Sequence, residues 1–225
     1  MLEVLLLLIF FACVGCLFTE GMWGNAVRLI NVVTSALLAT NLFEPVADWL
    51  EGRFPTYTFV WDFLALWALF AIFMVVFRGA TDFLSRVKVR FLSLADRIGS
   101  GVFAVCIGCV MVCFTTMSLH TAPMAREFMF GSFTPKKRAL MGIAPDRKWL
   151  GFMHRMSRGT FSRSATKKEL SRQTYGARDD DPAWAKKICV FDRNGEFTSK
   201  YASRRDNIDI HMKKPNTKSL RVRIK

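Results

Sequence analysis

Two pairs of cysteines have a spacing that is typical of thiol chemistry. Cys13 and Cys16 form one C-x-x-C pair, and Cys106 and Cys109 form another. Such pairs exchange disulfides or bind a metal when their thiolates are accessible. Here the neighbouring residues are Phe, Leu, Val, Ile and Ala, which disfavour the thiolate. We therefore expect cysteines that pack as small apolar residues, with no metal and no cofactor, and keep a membrane thiol oxidoreductase as an alternative.

Glu44 and Asp48 are the second pair with potential chemistry, because carboxylates four residues apart share one face of a helix. On a membrane helix they could line an aqueous path, as in a small channel or transporter. Charged residues also stand at the ends of ordinary spans, where they reach water. The sequence contains no nucleophile-elbow, zinc-protease or phosphate-loop motif, and it therefore predicts a protein that is not an enzyme.

Four long apolar runs must position these side chains, and they fill the first half of the chain: about residues 2–18, 27–50, 61–77 and 98–119. About 17 to 25 helical residues cross a hydrocarbon core of about 30 Å. Lipid offers the backbone no hydrogen-bond partner, so such runs close their bonds internally as helices. The sequence thus predicts an all-α membrane domain over residues 1–120, a four-helix transmembrane bundle. A re-entrant segment is the alternative for the second run, which carries charges near both ends.

Charge divides the chain at the same place. Residues 1–119 carry 7 Lys and Arg against 8 Asp and Glu, a net charge of −1, whereas residues 120–225 carry 25 against 10, a net charge of +15. Among the short loops, the one between the third and fourth runs is the most basic. The positive-inside rule places that loop in the cytoplasm. With four spans, both termini are then expected outside the bacterial inner membrane, although the tail is itself basic.

The residue pattern between the third and fourth runs predicts an amphipathic helix at the membrane interface, over about residues 81–95. Its apolar residues recur at three- and four-residue spacing and form one face. The basic side chains expected at the membrane surface are Arg86, Lys88, Arg90 and Arg97. They would meet anionic lipid headgroups. A loop helix packed on the bundle is the alternative.

Small residues recur every four positions along the fourth run, at Ser100, Ala104 and Gly108. Residues with this spacing lie on one helix face and form a groove. In lipid no hydrophobic force drives helices together. Membrane helices therefore associate through faces of small residues, which allow close packing. The sequence therefore predicts a close helix–helix contact along this face.

Two short glycine-containing motifs border the apolar runs. Asp96, Arg97 and Gly99 lead into the fourth run, and Gly21 and Gly24 lie between the first two runs. The first motif is similar to the Asp-Arg entry to the last helix of the colicin V production protein (CvpA) family, and the second resembles that family's glycine-rich turn. The resemblance covers about residues 1–120. It implies a multi-span inner-membrane protein linked to toxin production and export or to envelope homeostasis, and it supplies no catalytic residues.

For the basic C-terminal extension, residues 121–204, the sequence predicts a small α+β unit with one helix and one hairpin. The strands are expected at about 187–192 and 197–202, joined at Asn194-Gly195, because this dipeptide favours a tight hairpin turn. Such a unit buries too little surface to be stable alone. We expect it to pack on the membrane domain, on another copy or on a partner.

The last segment, residues 205–225, has a composition typical of a disordered tail. Taken together, the patterns predict a non-enzymatic integral membrane protein that acts through a membrane or envelope protein partner. The bilayer and its anionic headgroups are further expected partners, and a homo-oligomer is left open. Nucleic acid is not expected, because the basic tail contains no recognised reader motif.

Overall fold

The computed structural model of the protein describes residues 2–54, 58–84, 93–123, 142–164, 188–192 and 195–213. Within these ranges the chain forms α1 (Leu2–Leu17), α2 (Met22–Arg53), α3 (Thr58–Leu84), α4 (Ser93–Thr121), α5 (Pro145–Arg158), β1 (Arg163–Ser164), β2 (Ile188–Cys189) and α6 (Phe197–Lys213). The fold is mostly helical, as predicted.

Three of these helices are long and apolar enough to cross a membrane: α2, α3 from Val60 onwards, and α4. The second, third and fourth predicted runs each lie within one helix, whereas the first extends one residue beyond α1, which has only 16 residues. A membrane domain with three apolar helices of spanning length is therefore established by length and composition, and the fourth span stays a prediction.

Helix α4 is the centre of the bundle and contacts α1, α2 and α3. Helices α2 and α3 pack side by side, and the Asn31 amide donates to Thr81 Oγ1 at 2.9 Å. The start of α1 packs on the last part of α4, where Leu2 and Leu6 contact Val112. The N-terminus and the end of α4 therefore lie at the same end of the bundle.

We name the two ends of the bundle by what they carry. The turn end contains the turn at residues 18–21 between α1 and α2, together with the start of α4. The tail end contains Arg53 at the end of α2 and His120 at the end of α4, and the C-terminal extension packs there.

One aromatic core joins the membrane helices to this extension. The rings of Phe70 and Phe114 lie 4.9 Å apart, and Trp149 of α5 meets Phe114 at 5.9 Å. The Trp149 indole also donates to Thr40 Oγ1 of α2 at 3.3 Å. The same buried cluster continues to Tyr201 of α6. The extension packs on the membrane domain, which was one of the three arrangements expected for a unit that buries too little surface alone.

The predicted hairpin is wrong. Phe197 begins a helix rather than a returning strand, and Cys189 pairs instead with Arg163 of β1. The turn residue Gly195 does adopt a positive φ of 68°. However, the Asp192 carboxylate accepts a hydrogen bond from the Phe197 backbone N–H at 2.9 Å. A side-chain acceptor at this place satisfies a free N–H at the start of a helix, so the turn leads into α6.

The predicted disorder from residue 205 onwards is also wrong as far as Lys213, where α6 ends. Arg205 is 3% exposed, and its guanidinium donates to the His120 carbonyl oxygen at 3.0 Å. Residues 214–225 lie outside the described part of the chain. So does the centre of the predicted interfacial helix, residues 85–92, which includes Arg86, Lys88 and Arg90.

Replacing Trp149 by Ala tests whether the shared core holds the extension. Trp149 is 3% exposed, and removal of a buried Trp typically costs about 3–5 kcal/mol. We expect the free energy of unfolding in detergent, followed by circular dichroism during denaturant titration, to fall by an amount in that range. Trp49→Ala is the matched control, because Trp49 is 63% exposed and should cost far less. Equal losses in the two variants would contradict the shared core.

Candidate functional site

Asp96 connects the two motifs that border the apolar runs. It lies in the first turn of α4, but its carboxylate accepts a hydrogen bond from the Met22 backbone N–H at 2.8 Å. Met22 is the first residue of α2, and its N-cap residue, Gly21, has no side chain to cap the helix. Asp96 therefore caps α2 from another helix, and its negative charge lies near the positive N-termini of both helices.

Gly99 permits the close approach of α4 to the start of α2. A Cβ added at Gly99 would lie 2.2 Å from Met22 Sδ and 2.6 Å from Met22 Cγ, so any side chain there displaces Met22. At Gly21, by contrast, a Cβ would lie 3.6 Å from both Asp96 carboxylate oxygens, an ordinary contact. The Met22 side chain thus packs in the space that Gly99 leaves on α4, and the Asp96 hydrogen bond aligns α4 with the start of α2.

Two fully buried polar side chains, Asn25 and Ser100, satisfy the backbone at the end of α1. The Asn25 amide donates to the Leu17 carbonyl at 2.8 Å and to Ser100 Oγ at 2.9 Å. The Ser100 hydroxyl donates to the Glu20 carbonyl. A helix leaves its last carbonyls without intrahelical partners, and a buried unsatisfied carbonyl costs about 1–3 kcal/mol. These side chains therefore stabilise the turn between α1 and α2.

The groove of small residues on α4 continues from this point and faces α1. Ser100, Ala104 and Gly108 are all buried. A Cβ at Gly108 would lie 2.9 Å from the Phe10 ring and 3.4 Å from the Phe10 carbonyl oxygen. The helices approach closely along this face, which places α1 against the whole apolar part of α4.

At the tail end, buried Asp62 of α3 is the centre of a second polar cluster. It accepts a hydrogen bond from the Tyr201 hydroxyl at 3.0 Å and forms an ion pair with Arg204. Arg204 also reaches Glu51 of α2 at 3.1 Å. Burial, and then the Asp62 charge, raises the pKa of Tyr201 well above its usual value, so the phenol stays protonated as a donor.

Two further contacts join the extension to the same end. Lys200 and Glu44 form an ion pair at 2.9 Å that is partly exposed and therefore weak. The His120 imidazole meets the Asp146 carboxylate at 3.1 Å, with both side chains buried. Burial alone would raise the pKa of Asp146, but the hydrogen bond and charge of His120, with smaller contributions from Arg147, outweigh it and lower this pKa. An anionic Asp146 thus fixes the start of α5 to the end of α4.

The model of the family described as "Colicin V production protein" matches residues 2–134 of the chain. This stretch includes α1 to α4 and both motifs described above.

The chain belongs to the colicin V production protein family.

No curated protein and no solved structure matches the chain. The family match confirms the resemblance inferred from the motifs. It ends at residue 134, so α5 and α6 lie beyond the part that the colicin V production protein model matches.

The structure brings some of the predicted motif residues together and leaves others apart. Gly21, Asp96 and Gly99 meet at the turn end, whereas Gly24 and Arg97 are exposed. Sequence reasoning missed Asn25, which lies between the first two apolar runs. Its burial and its contacts with Leu17 and Ser100 appear only in the structure.

The second cluster has one residue that stands out in the sequence. Asp62 is the only acidic residue in the apolar run at 61–77. An acid in such a run needs a partner, because lipid cannot solvate its charge. The partners Tyr201 and Arg204 lie about 140 residues further along the chain, as the sequence separations of 139 and 142 show.

The cysteines lie away from both clusters. All six are free thiols, and Cys16, Cys106 and Cys109 are exposed on α1 and α4, while Cys13 is half-buried. On α4 the buried face that meets α1 carries Ala104 and Gly108, so its cysteine pair lies on a different face. Within the ranges the structure describes, no group of three or more His, Cys, Asp or Glu side chains could hold a metal.

Replacing Asp96 by Ala tests the cap between helices. A lost N-cap typically costs about 1 kcal/mol, and the free energy of unfolding in detergent should fall by about that amount. Asp96→Asn should retain most of it, because the amide oxygen can still accept the Met22 N–H. Arg97→Ala is the control at the next, exposed position and should change little. Indistinguishable unfolding curves for Asp96→Ala and Arg97→Ala would rule the cap out.

Asp62→Asn tests the docking of α6. The change removes the charge that pairs with Arg204, and breaking a buried pair costs up to about 3–5 kcal/mol. We expect much faster cleavage by trypsin within α6 in detergent. Glu44→Gln, which breaks the partly exposed pair with Lys200, should accelerate cleavage much less. Unchanged protection in Asp62→Asn would show that the apolar core alone holds α6.

Proposed function

We propose that the protein is a non-enzymatic component of the bacterial inner membrane. It supports the production and export of a colicin V-like toxin, or envelope homeostasis, by holding a membrane or envelope protein partner. The observation that carries this proposal is the family match over α1 to α4, the helices that form the apolar bundle.

The contacts between helices support a fourth span at α1. A helix of 16 residues rises about 24 Å, somewhat less than a hydrocarbon core of about 30 Å. Yet α1 lies along α4 from Ser100 to Leu119, so it follows the length of the apolar part of that span. The N-terminus and the tail lie at one end of the bundle, as an even number of spans requires. The basic loop between α3 and α4 favours the outside for that end.

The polar residues of the bundle support a scaffold rather than a catalyst. The Asp96 carboxylate and the Ser100 hydroxyl bond to backbone groups, and the Asn25 side-chain N–H groups donate to Leu17 and Ser100. Asp62 is engaged by Tyr201 and Arg204. Groups used in this way hold helices together, and a catalytic group needs access to a substrate.

The channel and the oxidoreductase remain weaker candidates. Glu44, the carboxylate expected to line an ion path, is paired with Lys200 of α6. The cysteines Cys13 and Cys16 on α1, and Cys106 and Cys109 on α4, are free thiols on helices of largely apolar sequence. Neither arrangement offers a reason to prefer flux or thiol exchange over partner binding.

The proposal is tested by complementation in a toxin-producing host that lacks this chain. A variant with Ser at positions 13, 16, 106 and 109 should restore toxin export to the wild-type level, because the thiols carry no chemistry. Gly108→Val should restore little, because a Cβ there already lies 2.9 Å from the Phe10 ring and 3.4 Å from the Phe10 backbone oxygen, so the larger side chain forces α1 away from α4. The measurement is secreted toxin activity, with membrane levels of each variant checked by immunoblot.

Partner binding is measured in parallel. A stable protein partner should copurify with the tagged full chain from native membranes, and liposomes containing the purified chain should show no ion flux. Loss of export in the four-Ser variant at normal membrane levels would favour the oxidoreductase. Ion flux that disappears in Glu44→Gln would favour the channel, and either result would overturn the proposal.

A further inference from the structure

Helix α5 has two chemically distinct faces. Its inner face packs into the shared core through Trp149, Leu150 and Met153. Four basic residues of the helix are exposed: Arg147, Lys148, Arg155 and Arg158. The helix contains one acidic residue, Asp146, which is buried against His120. The outer face therefore carries cations and no carboxylate.

Three of these cations have no ion-pair partner among the residues that the structure describes. Among the ion pairs of the described residues, none involves Lys148, Arg155 or Arg158. At 100° per residue the three lie within about a quarter of the helix circumference. They form a compact positive surface, in contrast to Lys200 and Arg204 of α6, which are ion-paired with the bundle.

The position of α5 relative to α4 gives its depth. Asp146 meets His120 in the last turn of α4, and Trp149 meets Phe114 six residues earlier. Six helical residues rise about 9 Å, so the start of α5 lies across the last two turns of α4. The apolar run at 98–119 has about the length that the hydrocarbon core requires. The outer face of α5 is therefore at the level where hydrocarbon meets headgroups.

Exposed apolar residues accompany the cations. Phe152, at 36% exposure, is on the outer face one turn from Lys148, and Ile143, at 49% exposure, precedes the helix. A helix with basic and aromatic residues on one exposed face is typical of the bilayer surface, where apolar groups enter the acyl region and cations meet phosphates.

We propose that the outer face of α5 binds the headgroups of anionic phospholipids, an assignment that rests on the membrane location in the proposed function. Lys148, Arg155 and Arg158 contact the phosphates, and Phe152 enters the acyl region beside them. The basic residue Arg97 lies at the opposite end of the bundle, so α5 contacts the other leaflet. The positive charge of this face and its level in the bilayer favour lipid over a soluble protein as the molecule that binds there.

The full chain is reconstituted in phosphatidylcholine vesicles that contain phosphatidylglycerol. Electron paramagnetic resonance with spin-labelled lipids then measures its preference for phosphatidylglycerol over phosphatidylcholine. The variant Lys148→Gln, Arg155→Gln, Arg158→Gln should lower this preference about five-fold or more, since one cation near an anionic surface contributes about that factor. Raised ionic strength should also lower the wild-type preference.

The matched control removes three cations that are ion-paired within the protein, with Arg28→Gln, Arg78→Gln, Lys200→Gln, and should keep the wild-type preference. If the triple α5 variant does not insert, the three single variants are measured, and each should lower the preference. An unchanged preference in the α5 variants, or an equal fall in the control, overturns the assignment. A wild-type chain that fails to enter vesicles overturns the membrane location itself, whereas a reconstituted chain without lipid preference overturns this assignment alone.

Discussion

Polar groups in this bundle must find their partners inside the protein, because the apolar surroundings supply none. At the turn end, α1 ends with carbonyls that need donors, and α2 begins with N–H groups that need acceptors. Asn25 and Ser100 provide the donors, and Asp96 provides an acceptor. Helix α4 thus bonds through Ser100 to the turn after α1 and through Asp96 to the start of α2, while Asn25 belongs to α2 itself, and these bonds hold α4 at the turn end. The small residues of α4 then allow α1 to approach along its length.

At the tail end, charged side chains must likewise find their partners inside the protein. Asp62 is buried within an apolar helix, so its carboxylate needs a cation or a hydrogen-bond donor beside it. Arg204 and Tyr201 supply both, and they lie on a helix beyond the part that the family model matches. The extension therefore completes the membrane domain. Its own stability depends in turn on that domain, because Trp149 and Tyr201 are buried in the core they share with α2, α3 and α4.

The basic charge of the extension is divided between two uses. On α6, Lys200 and Arg204 face the carboxylates of the bundle and hold the extension in place. On α5, four basic residues are exposed, and three of them are the cations proposed to bind lipid headgroups. One set of charges thus contacts protein and the other remains available to lipid, so a strongly basic tail is compatible with a structured unit. This division also separates a structural role for α6 from a membrane-contacting role for α5.

The sequence alone determined the helices of the membrane domain, the close contact on α4 and the family, because these depend on local composition and spacing. Four apolar runs, a four-residue repeat of small residues and the Asp96 motif were visible without coordinates. Tertiary structure decided which groups the polar residues contact: Asp96 caps a helix 74 residues away, and Asp62 pairs with α6. It also decided that the chain after Gly195 forms a helix, since the Asp192 carboxylate satisfies the Phe197 N–H and the buried core accepts Tyr201. The preference of the Asn-Gly dipeptide for a hairpin turn could not show that a helix follows. The contacts that favour the helix come from other parts of the chain.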